Sequence, residues 1–106
     1  MSATENNLTR AILQLLTLRG WLVWRQNNAA VYNQSRRCYI FHGTPGVADI
    51  LALRPGGQFW AIEVKAPKGR QSPAQAAFQA EVEKRCGIYI LARSLDDVES
   101  VLRDMQ

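Results

Sequence analysis

Cysteine, histidine and long apolar runs are all scarce in this chain. Cys38 and Cys86 are the two cysteines among 106 residues, too few for a disulfide scaffold, so reduced thiols are the simpler expectation. The single histidine, His42, together with Cys38 cannot supply the four ligands of a structural zinc site. With no visible partner for general-base work, His42 reads as a loop residue. No apolar stretch is long enough to span a bilayer, and no basic segment leads into an apolar one as a secretory signal would. A membrane partner is therefore not expected. Repeats, linkers and low-complexity tracts are absent as well. Charge of one sign is only mildly in excess, with 13 Lys and Arg against 9 Asp and Glu, a formal net charge of +4. That fits a polyanionic partner such as nucleic acid, and it fits many inert basic proteins too.

What remains is an ordinary globular composition, 47% hydrophobic, sized for a single domain over residues 1–106. A core of this size is modest, and a partner subunit would add to its stability. Leu8, Ile12, Leu15 and Leu16 recur at helical spacing and predict a helix over about residues 3–18, with Ser2 or Thr4 as its cap and Gly20 after its end. Residues 21–25 read as a strand, and Asn27-Asn28 as a turn. A hairpin is expected over 30–32 and 38–41, with a polar tip at 33–37. His42 to Gly46 is a loop. Ser72-Pro73 opens a second helix, striped by Ala74, Phe78, Val82 and Cys86 and ended by Gly87. Residues 88–92 form another strand. Ser94 caps a last helix striped by Leu95, Val98, Leu102 and Met105, with Asp96 and Asp97 at its positive end. The expectation is an α/β chain in the order α-β-(β)-β-β-α-β-α, a mixed β-sheet with helices packed on it.

Two segments carry the chemistry. Residues 46–53 and 59–65 are rich in strand formers, and the turn signal Arg54-Pro55-Gly56-Gly57 lies between them. They place Asp49, Glu63 and Lys65 in an otherwise apolar hairpin, where charges are costly unless paired or bound to a metal. Glu63 and Lys65 share a face because side chains alternate. A three-residue loop pairs Arg54 with Gln58 and sets Asp49 opposite Glu63, with Cβ atoms roughly 5 Å apart. A four-residue loop shifts the pairing by one and turns Asp49 to the other face. In the first register, two neighbouring carboxylates repel unless a cation lies between them. Mg²⁺ or Mn²⁺ suits such oxygen ligands, and Lys65 would orient the attacking water or hold charge on a phosphate. The same spacing also fits a structural Glu63–Lys65 ion pair with Asp49 at a solvated strand end.

Glu5 falls on the apolar azimuth of the first helix, within roughly 20° of Ile12 and Leu16, so it could reach a metal at the sheet edge. It also completes a capping box with Ser2. Gln75 has the same two readings, a capping box with Ser72 or a side chain leaning toward Lys65. Trp21, Trp24, Tyr39 and Trp60 are expected in the core. Nothing in the sequence supports the alternative that Trp24 or Tyr39 stacks on a base.

Glu5, Trp24-Arg25-Gln26-Asn27, Gly46-Val47-Ala48-Asp49, Glu63-Val64-Lys65 and Ser72-Pro73-Ala74-Gln75 occur in this order, and with the closing Leu91-Ala92-Arg93-Ser94 the pattern covers nearly the whole chain. It resembles the VRR-NUC family, the virus-type replication and repair nuclease domain of the PD-(D/E)xK phosphodiesterase superfamily. The resemblance implies a restriction-endonuclease-like fold and Mg²⁺- or Mn²⁺-dependent cleavage of DNA. It implies Glu5, Asp49, Glu63 and the Val64 carbonyl as metal ligands, Lys65 as the catalytic lysine and Gln75 as a supporting glutamine. It further implies a homodimer acting on branched DNA such as four-way junctions, as stand-alone members do, in the cytoplasm of a bacterial or phage-infected cell. Members embedded in larger repair proteins act on flaps as monomers. Arg36, Arg37, Lys68 and Arg70 are then candidate DNA-phosphate contacts, or else ordinary solvated charges. The chain departs from the pattern at Ala48, where the family usually has proline before the aspartate.

Overall fold

The computed structural model describes residues 2–26, 31–40 and 43–105. Among these are three helices and six strands: α1 (Ala3–Leu18), β1 (Leu22–Arg25), β2 (Val31–Asn33), β3 (Cys38–Ile40), β4 (Ile50–Leu53), β5 (Phe59–Val64), α2 (Pro73–Lys84), β6 (Ile88–Ala92) and α3 (Leu95–Asp104). The expected turn at Asn27-Asn28, the outer hairpin residues Ala30 and Phe41, and His42 lie outside the described residues.

The helix ends are set by local chemistry. Ser2, Ser72 and Ser94 each cap a helix through a reciprocal capping box, with Glu5, Gln75 and Asp97 as the respective partners. Gly20, at φ 83, ends α1: its N–H donates to the Thr17 carbonyl at 3.0 Å, and Trp21 N–H reaches back to Leu16. That is a Schellman closure. Cys86 does the same after α2 at φ 65, with Gly87 N–H donating to the Val82 carbonyl at 3.0 Å. Cys86 is therefore an exposed left-handed cap residue, not the expected last member of the helix stripe.

Four strands make one mixed sheet in the order β1-β4-β5-β6, antiparallel except for the parallel β5–β6 pair. The β2–β3 pair is a separate two-stranded ribbon. β4 and β5 pair Leu53 with Phe59 and Ile50 with Ile62, and Arg54 N–H donates to the Gln58 carbonyl at 3.0 Å. This is the three-residue-loop register. The strand expected from residue 46 starts only at Ile50, because Gly46 takes a positive φ of 73 and bends the chain.

Strand alternation divides the side chains between two layers. Ile50, Ala52, Trp60, Ile62, Val64, Ile90 and Ala92 face α1 and α3 and pack on Ile12, Leu16, Val98 and Leu102. Burial of each large side chain here contributes ~1.5–3 kcal/mol. Trp21 meets Trp60 edge-on, with ring centroids 4.8 Å apart. On the opposite face, Ala61 and Tyr89 pack with Ala48 and with Val82 of α2, flanked by Leu51, Phe59 and Phe78. Ala48 is wholly buried there, so a small side chain fills the position where the resembled family has proline.

Helix α2 packs chiefly on β6, and its cluster reaches across the sheet only as far as Leu51 of β4. Leu22, Trp24 and Leu53 are accordingly exposed. Two of the aromatics expected in the core are thus on the surface: Trp24 on β1, and Tyr39 on the ribbon, where its ring lies 5.1 Å from that of Tyr32.

Candidate active site

The β4–β5 register carries Asp49 and Glu63 onto the α2 side of the sheet, at adjacent strand ends. Gln26 N–H donates to the Asp49 carbonyl at 2.7 Å, so the β1–β4 ladder runs on through Asp49. The Asp49 side chain then bridges to β5, where its Oδ2 accepts from the Val64 N–H at 2.9 Å. Glu63 is 4% exposed. Its Oε1 accepts from Gln75 Nε2 at 3.0 Å, while its Oε2 is buried without a hydrogen-bond partner. Burial, with the Asp49 carboxylate beside it, pushes the Glu63 carboxyl up to about 8, and Lys65 opposes that shift.

Gln75 closes the expected capping box, and its other end goes to Glu63, not to Lys65 as expected. Its Oε1 accepts from Ser72 N–H at 2.9 Å to close the capping box, and its Nε2 holds Glu63. Lys65 follows Glu63 on the same side of the strand, and its N–H continues the parallel ladder to the Ala92 carbonyl at 3.0 Å. Glu5 stands apart. It begins the helix that packs on the other layer, and its Oε1 accepts from Ser2 N–H at 3.2 Å. That hydrogen bond holds the Glu5 carboxyl below its ordinary range, and the Lys65 charge acts weakly in the same direction.

An implied divalent cation can be tested against this donor set. Among the described residues, no three acidic, histidine or cysteine side chains are gathered closely enough to hold a metal. The Asp49–Glu63 pair nevertheless fits a hard cation. Mg²⁺ is commonly held by one or two carboxylates and keeps several waters. Glu63 Oε2 is buried with no donor facing it, and beside the Asp49 carboxylate it is satisfied either by a proton shared between the two acids or by a cation that replaces that proton. The Tyr89 hydroxyl is the second buried, unpartnered polar atom of this layer. Burial raises its pKa, the Gln71 amide opposes from outside hydrogen-bonding geometry, and the Glu63 and Asp49 carboxylates raise it further.

Two residues that position the site carried no chemical signal in the sequence. At Gly46 the loop passes so close to the first turn of α2 that an added Cβ would collide with the Ala74 carbonyl. This contact brings the segment before Asp49 against the turn that presents Gln75. Gly46→Ala is expected to cost ~2–4 kcal/mol, from the steric clash and the positive φ together. A thermal melt measures that loss, and an unchanged melting temperature would contradict the close approach. Arg93 braces the basic loop after β5: its Nε donates to the Pro67 carbonyl at 3.2 Å and its Nη2 to the Gly69 carbonyl at 2.7 Å.

Lys68 and Arg70 are exposed in that braced loop, directly after Lys65. Arg36 and Arg37 are exposed at the tip of the β2–β3 ribbon, outside the main sheet. The structure therefore gathers Asp49, Glu63, Val64, Lys65 and Gln75 at one end of the sheet, leaves Glu5 in its cap, and puts the basic residues on two separate surface elements. No helix is long and apolar enough to cross a membrane among the described residues.

No protein-family model matches the sequence, and no curated protein matches it. One solved structure, described as a VRR_NUC domain, superposes with a TM-score of 0.68 at 19% identity, covering 96% of this chain and 97% of that one. The chain therefore has the fold of a VRR_NUC domain over nearly its whole length.

Proposed function

We propose that this chain is a metal-dependent endonuclease that hydrolyses DNA phosphodiester bonds. The observation that carries the reading is the Asp49–Glu63 pair, with one buried carboxylate oxygen left open beside Lys65. Asp49, Glu63 and the Val64 carbonyl would hold Mg²⁺ or Mn²⁺. Glu5 would join them by releasing its capping bond. When bound, such an ion supplies positive charge against the phosphate and makes a nearby water more acidic.

The chain's own residues do the rest. Gln75 holds one oxygen of Glu63 and so aims the other. The Val64 N–H fixes the Asp49 carboxylate. Lys65 orients the attacking water and stabilises negative charge on the phosphate in the transition state. Water attacks in line, a P–O bond to the leaving strand breaks, and no covalent enzyme intermediate forms. Lys68, Arg70, Arg36 and Arg37 contact phosphates and set position and affinity.

The family resemblance extends the reading to branched DNA cut by a homodimer, whose two-fold axis would match that of a four-way junction. A cytoplasmic setting suits its two free thiols. The test is a cleavage panel over duplex, nicked, flap and four-way DNA, with Mn²⁺, Mg²⁺ or chelator. Cleavage is expected to be strongest on four-way DNA and to vanish with chelator. Activity indifferent to chelator would remove the metal mechanism. A monomer at micromolar concentration, with and without DNA, would remove the dimeric resolvase.

A further inference from the structure

We infer that the open face of Trp24 is a stacking site for an unpaired nucleobase beside the scissile phosphate, an assignment that rests on the nuclease reading above. Three tryptophans are present, and two are core residues: Trp60 is fully buried and Trp21 is 8% exposed. Trp24 is 39% exposed. The register explains why. Trp24 pairs with Leu51, so both side chains stand on the α2 side of the sheet; Leu51 is partly buried against the cluster under α2, and Trp24, one strand further out, is exposed. Asp49 lies two residues along the same strand direction from Leu51, and on the same face. Trp24 is thus one side-chain row, ~7 Å, from the carboxylate row.

That spacing is comparable to the reach from a phosphate across its sugar to the base. A phosphate drawn to a divalent ion at Asp49 and Glu63 would bring its neighbouring base over the indole. The ring needs no further polar partner, because its Nε1–H donates to Gln26 Oε1 at 3.4 Å. Leu22 and Leu53, paired across β1 and β4, extend the apolar floor beside it. An indole face with its N–H already engaged offers a flat π surface that accepts any base. In continuous duplex the bases are stacked on one another and cannot reach it without unstacking. Branch points, flaps and frayed ends present bases that can. The chain's net charge of +4 is complementary to the phosphates that flank such a base and disfavours a basic protein surface here.

Tryptophan fluorescence tests this with Ca²⁺ in place of Mn²⁺ or Mg²⁺, and again in chelator, so the outcome does not depend on cleavage and is read both with and without a divalent ion to neutralise the Asp49–Glu63 pair. Wild-type protein is titrated with a thymidine oligonucleotide and, separately, with a relaxed closed-circular duplex, which has neither loop nor end. The oligonucleotide is expected to quench emission, and Trp24→Phe is expected to remove most of that quenching. Trp24→Ala should weaken oligonucleotide affinity about tenfold and leave duplex affinity unchanged. Thermal melts of both variants confirm that they fold. Absence of quenching in the wild type, or quenching that persists in Trp24→Phe, overturns the assignment. So does an equal loss of duplex and single-strand affinity in Trp24→Ala. A Trp24→Ala protein that turns from dimer to monomer with unchanged oligonucleotide affinity overturns it too, and makes the face a protein interface. Quenching in a wild type that cuts no DNA would retain the stacking site and remove the nuclease reading.

Discussion

Replacing Lys65 by alanine is expected to lower the rate of DNA cleavage about 10²–10³-fold, the cost of removing one preorganised charge aimed at a transition state. The reason is local. Lys65 is the cation whose charge acts on Glu63, and the fixed contacts of the acid pair, Val64 N–H on Asp49 and Gln75 Nε2 on Glu63, are neutral donors. Its role in the proposed reaction is to act on the water and the phosphate. The fold needs it little, since its backbone N–H, and not its amine, continues the ladder to Ala92. Affinity for DNA should therefore change only a few-fold, because other basic residues remain on the surface. Single-turnover cleavage with Mn²⁺, set beside binding measured in chelator, separates the two. Cleavage that survives Lys65→Ala would take the lysine out of the chemistry. Equal losses in cleavage and binding would make it a general phosphate contact.

The second large effect is on stability in the absence of divalent ions. The Glu63 carboxyl titrates near its ordinary 4.5 in the unfolded chain and near 8 in the folded one. Between those values the folded chain holds the extra proton. Stability contributed by this group is thus fully present below about pH 4.5, and it is lost as pH rises through about 8. The slope is at most ~1.4 kcal/mol per pH unit. Glu63→Gln mimics the protonated form and should lack that slope. The variant is expected to match wild type near pH 4.5 and to exceed it by ~2 kcal/mol or more at pH 9. Denaturant unfolding of the two proteins across this range checks it. Parallel pH profiles would mean that Glu63 is not buried beside Asp49. Divalent ions should flatten the wild-type slope by displacing the proton and neutralising the pair, and should leave Glu63→Gln largely unaffected.

Most of the fold was legible because short-range rules governed it. Ser72 and Ser94 are read as caps and Ser2 as one of two candidates with Thr4; all three serines cap, and the Ser94–Asp97 box forms where only a dipole effect was expected of Asp97. The turn signal Pro55-Gly56-Gly57 narrowed the central hairpin to two registers and did not choose between them. The structure takes the three-residue loop, with Gly56 and Gly57 both at positive φ, and so sets Asp49 beside Glu63.

What was illegible depended on distant elements. Trp24 alternates correctly on β1, but no local pattern says that α2 stops short of that strand, so an aromatic assigned to the core ends on the surface. Tyr39 misled in the same way, because its strand joins the ribbon and not the main sheet. Arg93 grips the 67–69 loop across more than twenty residues of chain, and Gly46 is required by a helix that begins far downstream. Glu5 had two readings on one spacing. In the structure its carboxylate caps α1.

Diffraction from crystals soaked in Mn²⁺, recorded near the manganese absorption edge, addresses the main proposition directly. The expected result is an anomalous peak between the Asp49 and Glu63 carboxylates, within bonding distance of Glu63 Oε2, with the Lys65 amine alongside. Well-ordered Mn²⁺ elsewhere on the molecule, with those two carboxylates bare at a pH above 8, would contradict it.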